Sequence, residues 1–300
     1  MNTNSSNENI FANGVLLKLT ISVWPARLHV PKGAVQAADA NQLWLSTTKS
    51  LIDHGHLEQL TKLSGEIRKE ISGHALPFPL DGFTFVPRKA APTIEAMLKD
   101  YQAKFNTLVN AFVVEFAGYR AEAREKLGNL YRSTDYPMDI SRKFGMAWQF
   151  ITLAAPSAES GILDPETYAA EVKKFQDSMT EARELAVETL RVEFAELVSR
   201  AAERLSKPNN VFRDSLIGNF DDFISTFESR NVFNDSTLAE LIAKAKSALK
   251  GIKPQQLRDN GKLRAKVAGE FAKVNAVIEK NIIPQLRRIV LPGKEVENAA

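Results

Sequence analysis

The chain has 300 residues, 44% hydrophobic and 25% charged, which supplies apolar material for a substantial core and places most of it among ordinary globular proteins. Lys and Arg number 39 against 36 Asp and Glu, a net charge of +3, so the chain-wide positive excess of a general nucleic-acid binder is missing. There is no cysteine, which excludes disulfides, Cys-ligated zinc, iron–sulfur clusters and Cys nucleophiles.

Residues 1–13 are polar and Asn-rich and read as a disordered tail; they lack the basic-then-apolar pattern of a signal peptide. From Gly14 the pattern changes. Leu17, Leu19, Ile21 and Val23 alternate with other residues and predict a strand over Val15–Trp24. Pro25 and Pro31 bracket Leu28–Val30, a short edge continuation. Residues 33–72 read as helical, with one helix over Ala34–Leu45 and another over His56–Ile71. The segment Gly73–Pro87 holds three prolines and two glycines in fifteen residues, which forbids a long helix and predicts an ordered, aromatic-bearing loop.

A long proline-free stretch then runs from Pro92 to about Tyr131. Ile94, Leu98, Tyr101, Phe105, Leu108, Phe112 and Tyr119 follow a 4-3 spacing, with a slip where Glu115 stands and Phe116 takes the apolar place. Such a helix would span about 60 Å. Phe144–Leu153 reads as a second strand, which pairs with the first in a small two-stranded element. A second long helix runs from Asp164 to about Ser206, with Asp164 as N-cap, Pro165 in the first turn and Glu166 beginning an acidic start. Its stripe is Tyr168, Val172, Phe175, Met179, Ala182 and Ala186, shifting to Leu190, Phe194, Leu197, Ala201 and Leu205. Shorter helices follow over Val211–Phe227, Asp235–Lys250 and Leu263–Ile283, the last with Val267, Phe271, Val274, Ile278 and Ile282 on one face. Pro284 kinks or breaks it, with Gln285–Val290 as a candidate continuation, and the end from Pro292 is polar.

The expected fold is therefore mainly α. A long antiparallel, coiled-coil-like helical hairpin carries a small two-stranded β element and a helical C-terminal part. The divisions are 1–13 tail, 14–91 strand with short helices and loop, 92–206 hairpin, 207–290 C-terminal helices and 291–300 polar tail. No apolar run approaches the roughly 20 residues of a membrane-spanning helix, so a cytoplasmic protein without membrane association is expected.

Chemistry-bearing motifs are sparse. His54-Gly55-His56, with Asp53 and Glu58 nearby, is the one histidine cluster, and it is short of the ligand count a metal site needs. Phosphate-loop, dinucleotide-binding and nucleophile-elbow patterns are missing. Asp221-Asp222 sits between Phe220 and Phe223 on an amphipathic helix, where a solvated face is the expected role. Phe78, Phe83, Phe85, Trp24 and Trp148 could stack on bases but are expected in the core. On the long helices Arg and Glu are interleaved, as on solvated faces. Lys280, Arg287 and Arg288 are the candidate nucleic-acid contacts, Arg287 and Arg288 having no acid at close spacing; complementing the negative end of their own helix is the ordinary role for such a pair. No catalytic residue, metal ligand or cofactor-binding residue is assigned.

The order of segments resembles the bacterial and phage family known as domain of unknown function 3150. The opening strand with Leu17-x-Leu19-x-Ile21-Ser22-x-Trp24, the Gly73–Pro87 loop before the long Phe-rich helix, and the Trp148-Gln149-Phe150 stretch before the second long helix carry it. An Arg/Lys-rich stretch after the tryptophan is only partly present, as Arg27 and Lys32. The resemblance implies a protein of phages, plasmids or integrative elements, often encoded beside a MoxR-type AAA+ ATPase, with no catalytic residues to carry over. The resulting expectation is a non-enzymatic, elongated helical protein that acts through protein contacts, as adaptor or substrate of such an ATPase. A nucleic-acid-handling recombination accessory factor ranks second and a phage structural or defence-related assembly protein third. The sequence leaves the oligomeric state open.

Overall fold

A computed structural model describes residues 10–30, 47–155, 161, 163–206 and 214–281. Described in chain order, the elements are β1 (Gly14–Ser22), β2 (Arg27–His29), β3 (Thr48–Ser50), α1 (Glu58–His74), β4 (Leu76–Pro77), β5 (Phe83–Pro87), α2 (Ala91–Leu127), β6 (Gly145–Ile151), α3 (Pro165–Ser206), α4 (Ser215–Arg230), α5 (Ser236–Leu249), α6 (Pro254–Asp259) and α7 (Gly261–Asn281). The chain is mainly helical with a small amount of sheet, as expected. It divides into two compact units. One comprises residues 1–16, 73–90 and 152–300; the other comprises 17–72 and 91–151. Among the described residues no helix is long and apolar enough to cross a membrane.

In the second unit, β1 shows the predicted alternation: Leu17 is buried, Leu19 and Ile21 half-buried, and Lys18, Thr20 and Ser22 exposed. Its neighbour there is β6, the second predicted strand, but the expected two-stranded element is corrected: the sheet has four strands in the order β4-β5-β1-β6. The predicted edge continuation at Leu28 instead forms a separate antiparallel ribbon, with Leu28 opposite Lys49. The helix expected over His56–Ile71 is α1, entered through a 3-10 turn over His54–Leu57 whose N-cap is Asp53. The helix expected over Ala34–Leu45 lies outside the described residues. Along α2, Ile94, Leu98, Phe105, Phe112, Phe116 and Ala123 are buried. Glu115 is exposed and Phe116 takes its place against Trp24, ring centroids 5.7 Å apart, so the slip in the seam is real. Phe144 and Tyr119 close on Phe112 at 5.2 and 5.3 Å. Aromatic side chains of this size dominate core energetics because each buries a large apolar area.

In the first unit, the predicted Gly73–Pro87 loop folds as a hairpin: β4 and β5 pair antiparallel, Leu76 opposite Phe85. Prolines bar a helix but not a short edge strand. The turn is set by Gly82, whose φ of 81° suits glycine, with the Phe83 N–H donating to the Leu80 carbonyl at 3.2 Å. Residues 10–13, expected to be tail, are ordered. Ile10–Ala12 form a 3-10 turn with Ile10 buried, and Arg88 donates to the Ala12 carbonyl at 2.7 Å. Gly14 is required here, because a Cβ would meet the Val86 carbonyl oxygen at 2.3 Å. The preceding residues 1–9 lie outside the described set.

The helix α3 starts where predicted: Asp164 Oδ1 accepts from the N–H groups of Glu166 and Thr167, both at 3.1 Å. The hairpin of two long helices is corrected. The other long helix, α2, belongs to the second unit, and α3 packs chiefly along α7, with α4 beside it. Phe194 of α3 meets Phe223 of α4 at 5.7 Å, and Phe220 of α4 meets Phe271 of α7 at 5.0 Å. A helical stripe demands a cover but does not name it. Short loops make sequential helices neighbours, and the connection from α2 to α3 is long and carries a strand of its own. The stripe also turns by one residue: Val198 is buried and Leu197 half-buried, the reverse of the expected pair. On α7, Val267, Phe271, Val274 and Ile278 are buried as predicted, while Ile282 lies outside the described residues. Asp235 and Ser236 are the two residues at the start of α5 suited to cap it, and Asp235 does so, its Oδ1 accepting from the Leu238 N–H at 3.0 Å. The helix α6 was not foreseen.

Candidate functional site

The histidine pair does not converge. His54 Nε2 accepts from Arg27 Nε at 2.9 Å and lies 3.1 Å from Ser50 Oγ. His56 turns to α2, where its ring stacks on Tyr119 at 3.8 Å and its Nε2 lies 3.2 Å from Glu122 Oε2. Asp53 caps the intervening 3-10 turn. Glu58 pairs with Lys62 at 2.7 Å; that hydrogen bond, with the charge behind it, holds the Glu58 carboxyl below its ordinary range. Among the described residues no group of three or more potential ligands comes together.

Arg230, 2% exposed, sends one guanidinium nitrogen to both oxygens of Glu193, at 2.8 and 2.7 Å. Arg191 meets the cap Asp235 at 2.6 Å. In the second unit the Tyr136 hydroxyl donates to the Leu51 carbonyl at 2.7 Å, and burial pushes its pKa up to about 12. Trp148 Nε1 donates to Glu95 Oε2 at 2.8 Å, which holds Glu95 below the usual carboxylate range. Trp24, Phe78 and Phe85 are buried, as the core role requires, and Phe83 and Trp148 are half-buried. These contacts order the fold; none presents a nucleophile beside a base.

Among the described residues, one feature with the geometry of a binding site is a groove lined by α4, α5 and the turn into α6. Its volume is about 650 Å³. Ile217, Asp221 and Ile224 contribute from one face of α4, since residues four and three apart align on a helix. Ala243, Lys246, Ser247 and Leu249 contribute from α5, and Lys250, Gly251, Ile252 and Lys253 form the turn. Gly251, with φ of 72°, reverses the chain after α5, and the Ile252 N–H donates to the Leu249 carbonyl at 3.0 Å. Ile217 is buried, Ile224, Leu249 and Ile252 are half-buried, and all three lysines are exposed. The floor is thus apolar and the rim carries three ammonium groups against one carboxylate, that of Asp221. Asp221 and Asp222 are both exposed, and their neighbours Phe220 and Phe223 are buried, so the solvated-face reading of the acid pair holds.

Sequence reasoning passed over this site. The available signal was local charge: residues 244–266 hold eight basic residues, Lys244, Lys246, Lys250, Lys253, Arg258, Lys262, Arg264 and Lys266, against one acid, Asp259. A net charge of +3 for the whole chain conceals it. Of the predicted contacts, Lys280 is exposed in the last turn of α7, and Arg287 and Arg288 lie outside the described residues.

No curated protein and no solved structure matches the chain. A family model described as "Protein of unknown function (DUF3150)" matches residues 12–211, from the turn before β1 to just past the end of α3, and the groove lies C-terminal to it. The match spans two thirds of the chain: the chain belongs to the DUF3150 family.

Proposed function

We propose that this protein is a non-enzymatic binding protein that acts through protein–protein contacts in the cytoplasm of a cell carrying a phage or mobile element. The observation that carries this reading is the lysine-rimmed groove between α4 and α5, an exposed concavity with an apolar floor. Sites that bind by burial combine such a floor with a few placed charges. An AAA+ ATPase of the MoxR type is the partner the family resemblance implies, with this chain as its adaptor or substrate. The test is affinity capture of the full chain from its native host with chemical cross-linking and mass spectrometry. The reading expects a stoichiometric protein partner cross-linked to the chain; recovery of no protein above background overturns it.

One observation favours a second reading, a nucleic-acid-handling accessory factor. The excess of eight basic residues to one acid over 244–266 is the local electrostatic footprint that phosphate contacts need. On this reading, oligonucleotide affinity measured by fluorescence anisotropy falls steeply between about 50 and 200 mM salt. Salt-independent or absent binding rejects it.

A further inference from the structure

The groove has two chemistries in one concavity. Ile217, Ile224, Leu249 and Ile252 give it an apolar base, while Lys246, Lys250 and Lys253 stand exposed at its rim beside the single acid Asp221. Lys246 stands in the last turn of α5, and Lys250 and Lys253 in the turn that follows it, so all three gather at one end of the groove lining. A polyphosphate backbone would use the lysines and leave the apolar base wet. A neutral apolar segment would use the base and leave three cations without a counter-charge. A ligand that answers both is apolar on one side and carboxylate-rich on the other.

We infer that the groove between α4 and α5 receives an acidic amphipathic segment of a partner protein, its apolar side chains on Ile217, Ile224, Leu249 and Ile252 and its carboxylates on Lys246, Lys250 and Lys253. This is the helix-in-groove mode, read by apolar anchors at helical spacing, with opposite charge across the contact setting encounter rate and register. The inference rests on the protein-contact reading above and names the partner's chemistry.

The experiment uses the full chain and four fluorescein-labelled probes. These are a peptide about four helical turns long with Leu on one face and Glu on the other, a scrambled peptide of the same composition, oligoglutamate, and a single-stranded oligonucleotide. Two variants address the two halves of the site. K246E/K250E reverses the rim, and Ala243→Trp fills the groove from an exposed position while leaving every charge in place. Thermal melts establish that both fold. The amphipathic peptide is expected to bind about tenfold or more tightly than the scrambled one, and each variant to weaken it about tenfold or more. Equal binding of all acidic probes with no effect of Ala243→Trp overturns the inference in favour of a charged patch. Preference for the oligonucleotide, or binding by no probe, also overturns it. Repeating the capture with K246E/K250E separates the two ideas. A partner retained by the variant removes the groove but leaves the protein-contact reading; a partner absent from both captures removes that reading.

Discussion

Single residues hold the fold in ways that mutation can rank. Phe105 and Phe112 are 1% and 4% exposed in the α2 seam. Replacing either with Ala leaves a cavity the seam can only partly close, so each is expected to destabilise by about 3–5 kcal/mol in a denaturant titration. The Arg230–Glu193 pair is asymmetric: the Arg230 side chain is 2% exposed and that of Glu193 38%. Glu193→Ala strands a buried cation and is expected to cost about 3–5 kcal/mol. Arg230→Met leaves a carboxylate that water can reach and puts an apolar stem in place of another, so it should cost clearly less. Equal losses would mean the ion pair is not what holds α4 to α3. Tyr136 makes a prediction in pH. Its phenol stays protonated up to about 12 because it is buried, with Tyr131 and Asp135 beside it, against an unfolded value of about 10. The unfolded chain therefore loses this proton first. Stability from this group is complete below about pH 10 and declines as pH rises towards about 12. Urea titrations across that range should show a shallower decline in Tyr136→Phe than in the native chain.

At the scale of elements, most of what the sequence dictates locally is present. Asp164 caps the helix it was expected to cap, because a cap depends on a few adjacent residues. The strand pair β1 and β6 and the Glu115 slip were legible for the same reason. The pairing of α3 was not, because periodicity records that a stripe is buried and not which element buries it. The hairpin at β4 and β5 was missed because its prolines and glycine mark a turn-rich segment without saying whether the flanks pair. The turn of the α3 stripe offers a direct check. Val198 is 0% exposed while Leu197 is half-buried. Val198→Ala should cost about 2 kcal/mol, more than Leu197→Ala despite the smaller side chain removed. The opposite order in thermal or chemical melts would restore the register read from the 4-3 spacing.

Across the whole molecule, the sum of charges is a poor guide to its distribution. The stretch 244–266 is strongly basic while the remainder of the chain is net negative, so the two nearly cancel in the total. The candidate cations read from the sequence, Lys280, Arg287 and Arg288, lie C-terminal to this stretch. Arg287 and Arg288 stand out for lacking adjacent acids, a criterion that the eight basic residues of 244–266 meet with only Asp259 as exception. What could not be read from charge alone is that three of those lysines edge an apolar concavity, since that depends on α4 and α5 both lining it. The chain also passes between its two compact units four times, at 16–17, 72–73, 90–91 and 151–152, which no compositional shift marks.

The cover of α3 has a practical consequence for anyone expressing part of this protein. The family match ends at residue 211, yet Leu190, Phe194, Val198, Ala201 and Leu205 of α3 are buried in a unit whose helices α4 and α7 begin at Ser215 and Gly261. A fragment trimmed to residues 12–211 would carry that stripe without its lid, and each large side chain bared costs about 1.5–3 kcal/mol of burial. It is expected to self-associate more on gel filtration and to bind more hydrophobic dye than the full chain. A monodisperse, dye-negative fragment would show that α3 finds another cover when its own is removed. The limits of sequence kinship are, for this chain, the wrong place to cut.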